Sequence, residues 1–497
     1  MKFLFLALIG FLISVGSIQA QFWTQTGDNI LGEEAHDFFG GSVSMSSDGF
    51  IVAIGAKDDY PTSMDAGYVK IFEENSGVWT QTGGDIIGDE TFEEFGYSVD
   101  LNGDGSVVAI GSPGYSGFIP GSYTGRVSIY ENNSGTWQKI GTSIEGEEGG
   151  DHFGHCVSLN SDGSIVAIGT FEEPEIYEKG YVRIYKNNEG EWQQIGEDIT
   201  GDNAGDYFGY SVSLSSDGSI VAIGATQNYG NGTDPGFVRV FENNAGVWQQ
   251  IGTDIIGENV DDTFGFSVSL SSDGSILSVG APYNDGNGGD AGHVRVFQNN
   301  GGIWEQLGAD IDGEAMGDSF GFSVGLNSDG SIVAIGGRYN NGNGPQSGHV
   351  RIFQYEDAEW KQVGYDIDGE AQGDNSGYVS LSSDGLKVAI GAPRNDENGL
   401  DAGNVRVFGS PTVGTGNIVL TEISVYPNPS NGFFTIENAK GFELSITDIS
   451  GKTHYKIVIK EDYWTVELGK TFCSGIYFVH LISEKESYTK KILIKKG

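Results

Sequence analysis

One segment of this chain is repeated seven times, and this repetition restricts the possible folds more than any other property. Seven tryptophans recur every 55 to 58 residues: Trp23, Trp79, Trp137, Trp192, Trp248, Trp304 and Trp360. Seven aspartates, each followed by glycine, keep the same spacing: Asp48, Asp104, Asp162, Asp217, Asp273, Asp329 and Asp384. Self-similarity at a fixed period indicates that each copy is one structural unit. The seven copies occupy about residues 22–409.

Each copy contains four short strand signals separated by turn residues. In the fifth copy these signals are FSVSL (266–270), SILSVG (275–280), HVRVF (293–297) and IWEQLG (303–308). The second signal is often apolar throughout, as in IVAIG (332–336), which is typical of a strand buried on both faces. Seven four-stranded sheets that cover one another predict an all-β, seven-bladed β-propeller.

The two ends of the repeat region complement each other. The region begins with a fourth-strand signal, FWTQTG (22–27), and ends with a third-strand signal, NVRVFG (404–409). We expect the N-terminal strand to complete the last blade and so to close the ring. A stacked solenoid is the alternative, but that architecture needs polar caps rather than complementary ends.

The repeat resembles the FG-GAP repeat of integrin-like β-propellers. The resemblance rests on Phe95-Gly96 with Gly111-Ser112-Pro113, on Phe264-Gly265 with Gly280-Ala281-Pro282, and on the final Gly391-Ala392-Pro393. Integrin-type blades often carry a calcium loop between the first and second strands. Here that connection is only SSDG or NSDG, so the resemblance does not extend to calcium at that place.

Composition excludes some classes of partner. The chain has a formal net charge of −43, and residues 21–423 alone hold 15 basic and 61 acidic residues. Nucleic acid is not expected as a partner, because binding phosphates requires a basic face. The chain has two cysteines, Cys156 and Cys473, so we expect no disulfide framework and interpret Cys156 as a small core residue.

The N-terminal residues MKFLFLALIGFLISVGSIQA (1–20) predict a secretory signal peptide, with Lys2 before an apolar run and Ala20 before the cleavage site. An uncleaved anchor is the alternative. No other stretch has the roughly 20 apolar residues that a membrane helix needs, so we expect no transmembrane segment in the mature chain.

The C-terminal residues differ from the repeats. After a predicted linker at 411–423, residues 424–497 hold ten lysines and eight acidic residues and contain short alternating strand signals. These signals predict a small Ig-like β-sandwich. The motifs YPNP (426–429), DISGK (448–452) and SGIY (474–477) and the lysine-rich end closely resemble the C-terminal sorting domain of the type IX secretion system. The resemblance implies that residues 424–497 engage the type IX secretion machinery and are removed after export. The mature propeller, residues 21–410, would then be extracellular or on the outer-membrane surface.

Two series of acidic residues precede the first strand of each copy. The first series is Glu33, Asp89, Glu147, Asp202, Glu258, Glu314 and Glu370. The second is Asp37, Glu93, Asp151, Asp206, Asp262, Asp318 and Asp374. Such carboxylates either accept backbone N–H groups in a tight turn or form a cation-attracting ring on one propeller face.

The loops between second and third strands vary most among the copies, and variable loops on a rigid scaffold are the usual place for binding. Two of them offer oxygen ligands of the kind that calcium uses. The candidate calcium ligands are Asn284, Asp285, Asn287, Asp290, Asn395, Asp396, Asn398 and Asp401. Asn, Asp and Gly also simply form turns, and we expect these loops to act mainly in that way.

The sequence contains no HExxH, GxSxG or P-loop motif, and it predicts no catalytic residue. His293 and His349 begin third strands at a position that also accepts Tyr, Arg, Phe and Asn, which argues against a ligand role for this position. We therefore expect an exported binding or adhesion module for a protein or glycan ligand. A hydrolase of polysaccharides or esters and a purely structural surface component are the alternatives.

Overall fold

A computed structural model describes most of the repeat region and the strands of the C-terminal region. The described residues are 23–57, 66–116, 122–171, 179–226, 235–410, 424–426, 433–437, 442–448, 452–460, 463–467, 475–482 and 487–494. The predicted signal peptide and the predicted linker lie outside them. The chain divides into two compact units, Met1–Thr412 and Val413–Gly497. Among the described residues there is no helix long and apolar enough to cross a membrane.

The first unit contains seven antiparallel sheets, which we call blades one to seven in chain order. Two strands precede blade one: β1 (Thr24–Gln25) and β2 (Ile30–Leu31). Blade one is β3 (Ser42–Met45), β4 (Ile51–Ala56), β5 (Tyr68–Asn75), β6 (Val78–Gln81) and β7 (Ile86–Ile87). Blade two is β8 (Ser98–Leu101), β9 (Val107–Ser112), β10 (Arg126–Asn132), β11 (Trp137–Lys139) and β12 (Ile144–Glu145). Blade three is β13 (Cys156–Leu159), β14 (Ile165–Gly169), β15 (Tyr181–Asn188), β16 (Glu191–Gln194) and β17 (Ile199–Thr200).

The remaining blades repeat this order. Blade four is β18 (Phe208–Leu214), β19 (Ile220–Ala225), β20 (Phe237–Asn244), β21 (Val247–Gln250) and β22 (Ile255–Ile256). Blade five is β23 (Ser267–Leu270), β24 (Ile276–Ala281), β25 (His293–Asn299), β26 (Trp304–Gln306) and β27 (Ile311–Asp312). Blade six is β28 (Phe320–Leu326), β29 (Ile332–Gly337), β30 (His349–Glu356), β31 (Glu359–Gln362) and β32 (Ile367–Asp368). Blade seven contributes β33 (Tyr378–Leu381), β34 (Lys387–Ala392) and β35 (Asn404–Gly409).

The protein is therefore a seven-bladed β-propeller, as the repeat predicts. Each blade also contains a fifth, two-residue strand beside its third strand; in blade five, β27 pairs with β25 through Val294↔Ile311. Such a strand is too short to produce a readable alternation of apolar and polar residues, so the sequence predicted only four strands.

The N-terminal strand closes the ring. β1 pairs antiparallel with β35 through Thr24↔Gly409 and Gln25↔Phe408, and β2 pairs with the other end of β35. The backbone N–H of Thr26 also donates to Val407 O at 2.8 Å. Blade seven thus receives its outer strands from the start of the chain, which confirms the closure predicted from the complementary ends.

The tryptophans join each outer strand to the preceding blade. Every one of the seven indole Nε1–H groups donates to a backbone carbonyl of that blade, at 2.7–3.2 Å. Trp23, for example, donates to Val363 O at 3.0 Å. A half-buried indole satisfies its polar group in this way while its rings pack between blades.

The FG and GAP residues meet at the contact between neighbouring blades. Phe264 and Phe320 are fully buried there. A Cβ on Gly280 would lie 2.0 Å from Gly321 O in the next blade, so only glycine fits at this approach. The Asp-Gly turns lie at the far end of the first strand, where Asp273 Oδ1 accepts the Ser275 N–H at 2.9 Å. The repeated motif residues are therefore structural.

The second unit contains two sheets. One consists of β36 (Ser424–Tyr426), β37 (Phe433–Glu437) and β40 (Tyr463–Glu467). The other consists of β38 (Glu443–Asp448), β39 (Thr453–Val458), β41 (Gly475–Ile482) and β42 (Ser487–Ile494). Buried residues of both sheets, among them Phe434, Ile436, Leu444 and Val479, form one hydrophobic cluster. Two sheets that share one core form a β-sandwich; its Ig-like topology remains a prediction.

Candidate binding site at the mouth of the central channel

A ring of aromatic side chains lines the central channel of the propeller. The residue that follows each FG pair, or Ser376-Gly377 in blade seven, lies close to the start of the innermost strand. It is aromatic in six of the seven blades: Tyr97, His155, Tyr210, Phe266, Phe322 and Tyr378. Consecutive ring centroids lie 4.8–5.1 Å apart. We call these six side chains the aromatic ring. Blade one has Gly41 at this position, so the aromatic ring is open there.

The local backbone explains why these side chains reach the channel. The FG glycine adopts a positive φ, such as 89° at Gly96 and 93° at Gly265. Glycine takes this conformation without a steric penalty, and it turns the chain from the inter-blade link into the innermost strand. The next residue therefore projects from the start of that strand, at the propeller face that carries the loops between second and third strands.

Two cationic side chains stand over the aromatic ring, and a third stands over Phe38, which lines the same channel mouth. Arg338 Cζ lies 4.1 Å from the Phe322 ring centroid, Lys57 Nζ lies 4.6 Å from that of Tyr97, and Arg394 Cζ lies 5.8 Å from that of Phe38. Each follows the second strand of its blade. Cations placed over aromatic faces are attracted by the ring quadrupole.

Arg338 occupies the most central of these positions. It contacts the Tyr339 hydroxyl, and its charge acts on the hydroxyls of Tyr97, Tyr210 and Tyr378. Burial raises the pKa of all three phenols, with the arginine charge opposing that increase. Among the described residues, no carboxylate forms an ion pair with Arg338, and its Nε is buried without a hydrogen-bond partner.

These side chains enclose a cavity of about 640 Å³ that opens at the loop-bearing face. Tyr283, Tyr339 and Asn375 complete its outer wall. The described residues that line this cavity include the three cations and no carboxylate. A volume of this size suits a small ligand or the end of a polymer.

Below the aromatic ring, side-chain hydrogen bonds join the innermost strands. Ser158 Oγ accepts the Leu214 N–H at 3.0 Å, and equivalent serines do the same in other blades. Blade two has Asp100 at this position, where its carboxylate accepts the Leu159 N–H at 2.7 Å and the Ser44 hydroxyl at 2.8 Å. Desolvation raises the pKa of Asp100 from 3.8 to about 6.

His155 and Cys156 lie beside the channel but are not arranged as a nucleophile and its base. The Cys156 thiol donates to Gly209 O at 3.0 Å, as the serine at this position does in other blades. Burial raises the pKa of Cys156 to about 12 and lowers the pKa of His155 to about 3. The Cys156 thiol and the His155 imidazole are therefore both neutral at physiological pH, and Cys156 does not provide a thiolate nucleophile.

The carboxylates of the second acidic series take part in backbone turns. All seven carboxylates of the second series accept backbone N–H groups in the turn that precedes the first strand. Asp318 Oδ2, for example, accepts the Ala315 N–H at 2.9 Å. Members of the first series pair with cationic residues of the third strand, as Glu147 does with Arg183 at 3.2 Å. The second series therefore accepts backbone N–H groups in tight turns, which is one of the two interpretations of these carboxylates.

The candidate calcium loops are closed by their own hydrogen bonds. In blade five, Asn284 donates to Asp262 Oδ2 at 2.7 Å, Asn287 donates to Gly313 O at 2.7 Å, and Asp285 Oδ1 accepts the Asp290 N–H at 2.9 Å. In blade seven, the corresponding bonds are Asn395 to Asp374 at 3.0 Å, Asn398 to Gly32 O at 2.7 Å and Asp401 N–H to Asp396 at 2.8 Å.

Blade six provides an internal comparison for these loops. There Asn341 and Gln346 replace the two aspartates, and the Gln346 N–H donates to Asn341 Oδ1 at the same distance of 2.9 Å. The same loop geometry therefore forms with an uncharged side chain. Calcium at Asp285, Asp290, Asp396 and Asp401 remains a prediction.

Comparison with known protein families agrees with the sequence motifs. Residues 200–241 and 258–297 match the FG-GAP repeat, and residues 424–495 match the secretion system C-terminal sorting domain. The chain carries FG-GAP repeats and a type IX sorting domain. The sorting domain indicates export to the cell surface or the extracellular space. No curated protein matches this chain.

Solved structures with a similar backbone are distant in sequence. They include PorZ, a surface component of the type IX secretion system of Porphyromonas gingivalis, with 13% identity and a TM-score of 0.45 over 92% of this chain and 59% of that chain. The periplasmic gluconolactonase PpgL of Pseudomonas aeruginosa has 15% identity and a TM-score of 0.46 over 71% of this chain and 96% of that chain. Sqt1 of Chaetomium thermophilum has 14% identity and a TM-score of 0.47 over 78% of this chain and 100% of that chain. We infer no activity for this FG-GAP propeller from these distant proteins.

Proposed function

We propose that this FG-GAP propeller is an exported binding module that captures an acidic carbohydrate at the mouth of its central channel. The observation that carries the proposal is Arg338, a half-buried cation that stands over the aromatic ring without a carboxylate partner among the described residues. Most other arginines of the propeller pair with acids, as Arg239 does with Asp254 at 2.9 Å. A cation left unpaired in a chain of net charge −43 favours an anionic ligand.

The aromatic ring supports a carbohydrate rather than a small inorganic anion. Aromatic faces present an apolar surface on which the C–H face of a sugar ring can pack, while Tyr97 and Tyr378 also offer hydroxyl groups. Lys57 and Arg394 lie at the edge of the same cavity, where they can pair with further acidic groups along a chain. The acidic exterior of the propeller would repel such a chain elsewhere.

The alternative of a hydrolase is less well supported by this arrangement. Glycoside hydrolysis uses a pair of carboxylates on either side of the scissile bond. Asp100 lies deeper than the aromatic ring and is held by Ser44 and the Leu159 N–H. The cavity walls supply aromatic and cationic groups that hold a ligand.

The proposal is tested by binding of the mature protein to acidic and neutral oligosaccharides of matched length. We expect binding to acidic chains only, with affinity that falls as salt concentration rises. Arg338→Gln should weaken binding by about 10- to 100-fold, the effect of losing one charge-assisted hydrogen bond. Lys186→Gln removes an exposed lysine outside the cavity and should leave affinity unchanged. Equal binding of neutral chains, or an unaffected Arg338→Gln variant, would contradict the proposal.

A further inference from the structure

Two buried histidines lack the hydrogen-bond partners that buried imidazoles need. His293 and His349 begin the third strands of blades five and six and are 1% and 0% exposed. Both nitrogens of His349 and Nε2 of His293 have no hydrogen-bond partner among the described residues. Leaving a buried polar group unsatisfied costs about 1–3 kcal/mol. The imidazoles therefore indicate a partner other than the described part of the polypeptide.

Two carboxylates face each histidine. In blade six, ligand atoms of Glu314, His349 and Asp366 all lie within 4.8 Å of one another, and the same holds for Glu258, His293 and Asp310 in blade five. His349 Nδ1 is 3.7 Å from Asp366 Oδ2, which is too long for a hydrogen bond. Two ligands of one zinc ion, each about 2.0–2.2 Å from the metal, lie up to roughly 4 Å apart. The glutamate of each set is exposed, so a change of its rotamer can shorten the remaining distance.

The arginine of the third strand behaves differently in the histidine blades. In blade four, where Phe237 replaces the histidine, Arg239 binds both oxygens of Asp254 at 2.9 Å and also contacts Asp202. The arginine thus neutralises the two carboxylates in a blade without histidine.

In blade six the corresponding arginine remains near the carboxylates but donates its hydrogen bonds to a glutamine. Arg351 donates to Gln362 Oε1 at 3.2 and 2.9 Å and lies 3.7 Å from both Glu314 and Asp366. In blade five, Arg295 donates to Gln306 Oε1 at 3.0 and 2.8 Å in the same way. Both histidine blades therefore present two carboxylates without a direct arginine hydrogen bond. This difference between blades is independent of the histidine burial.

We propose that blades five and six each bind one divalent transition-metal ion of the zinc class, through Glu258, His293 and Asp310 and through Glu314, His349 and Asp366. Imidazole nitrogen is a ligand of zinc, copper, iron and nickel, whereas calcium and magnesium prefer oxygen ligands alone. Two carboxylates balance the charge of the divalent ion. With three protein ligands, the ion keeps an open coordination position for water or for a group of a bound molecule. Both sites lie where third strands begin, on the loop-bearing face.

The experiment uses the full mature chain, purified without a polyhistidine tag, stripped with chelator and titrated with Zn²⁺, Mn²⁺, Ca²⁺ or Mg²⁺. We expect two zinc ions per chain and a rise in melting temperature, because an ion that binds only the folded state stabilises it. His349→Tyr should reduce the stoichiometry to one, and His349→Tyr with His293→Phe should reduce it to zero. Tyrosine and phenylalanine occupy this position in blades three and four, so the variants suit the fold.

Asp285→Ala with Asp290→Ala is the matched control, because it changes the nearby loop and not the histidine cluster. It should leave zinc binding unchanged, and any calcium response that it removes would belong to that loop. Zinc stoichiometry unaffected by the double histidine variant would place the ions elsewhere and overturn the proposal. Absence of zinc binding in the wild-type chain would also overturn it and would leave bound water as the partner of the imidazoles.

Discussion

At the scale of single residues, function depends on the positions where one repeat departs from the others. Ser44, Ser158 and Ser269 show what the blade requires at one position of the innermost strand, namely a small acceptor for a neighbouring backbone N–H. Asp100 fills the same role with a carboxylate whose pKa burial raises to about 6. The comparison among blades separates what the fold needs from what one blade adds.

Asp100 predicts a pH dependence of stability. Its pKa is higher in the folded protein than in the unfolded chain, so the folded state holds the proton more tightly and the ionised carboxylate destabilises it as pH rises from about 4 to 6. Asp100→Ser should therefore stabilise the protein by about 1–3 kcal/mol at pH 7.5 and by much less at pH 4.5. Denaturant unfolding at the two pH values measures this difference.

Asp104→Asn is the control for that measurement, because hydrogen bonds from Ser106 lower the pKa of Asp104. Its contribution is present at neutral pH and is lost as pH falls, so this variant should destabilise the protein more at pH 7.5 than in acid. If Asp100→Ser and Asp104→Asn showed the same sign at pH 7.5, the assignment of the raised pKa to Asp100 would be wrong.

At the scale of strands and blades, the closure of the ring depends on β1. Removal of residues 21–27 eliminates the pairing of β1 with β35, the Trp23 bond to Val363 and the acceptor of the Trp79 indole at Thr26. Blade seven would then expose an unpaired edge, which promotes aggregation.

We predict that a chain beginning at Asp28 melts at least about 5 °C below one beginning at Gln21 and aggregates more readily. A synthetic peptide of residues 21–27 should restore part of the loss in a concentration-dependent manner, because it can occupy the free edge of β35. Differential scanning calorimetry and light scattering measure the two effects. Equal melting temperatures for the two chains would show that closure by β1 contributes little.

Much of this architecture could be predicted from the sequence, because each blade repeats residues that the fold requires. The tryptophans, the Asp-Gly turns and the complementary ends were sufficient to predict the number of blades and the closure of the ring by the N-terminal strand. The candidate site was not predicted. The signal was present, since an aromatic residue follows FG in copies two to six, as at Tyr97 and Phe322, but it has the same period as the structural residues.

The cations of the site and the histidine clusters could not be predicted for a different reason. Lys57, Arg338 and Arg394 come from loops of unlike sequence, and only the closed ring brings them to one channel mouth. The variety of residues at the position of His293 and His349 argued against a ligand role. In the structure, the two histidine blades differ from blades three and four, where Tyr181 and Phe237 stand at this position and the arginine binds an aspartate directly.

At the scale of the whole molecule, the two units differ in charge and in task. The repeat region is strongly acidic, whereas residues 424–497 have a small positive net charge and carry the sorting motifs. Each unit has its own hydrophobic core, so we expect the propeller to fold without the C-terminal unit.

We predict that a chain truncated after Glu422 folds but accumulates in the periplasm of a host with type IX secretion. Limited proteolysis should show a resistant propeller, and cell fractionation should show its loss from the surface and the medium. Fusion of residues 424–497 to a periplasmic reporter is the complementary control and should lead to its export. Normal surface display of the truncated chain would rule out the assignment of the sorting function to this region.

The closure of the ring by β1 also determines when the propeller can be finished. The bond between Thr26 and Val407 joins residues 381 positions apart in the chain. At a synthesis rate of roughly 5–20 residues per second, the first strand exists for about 20 to 75 seconds before its partner strand is made. The last blade therefore cannot form until β35 has been made, and until then the propeller is an incomplete ring with a free strand at one end and an open sheet at the other, a form that is prone to aggregation.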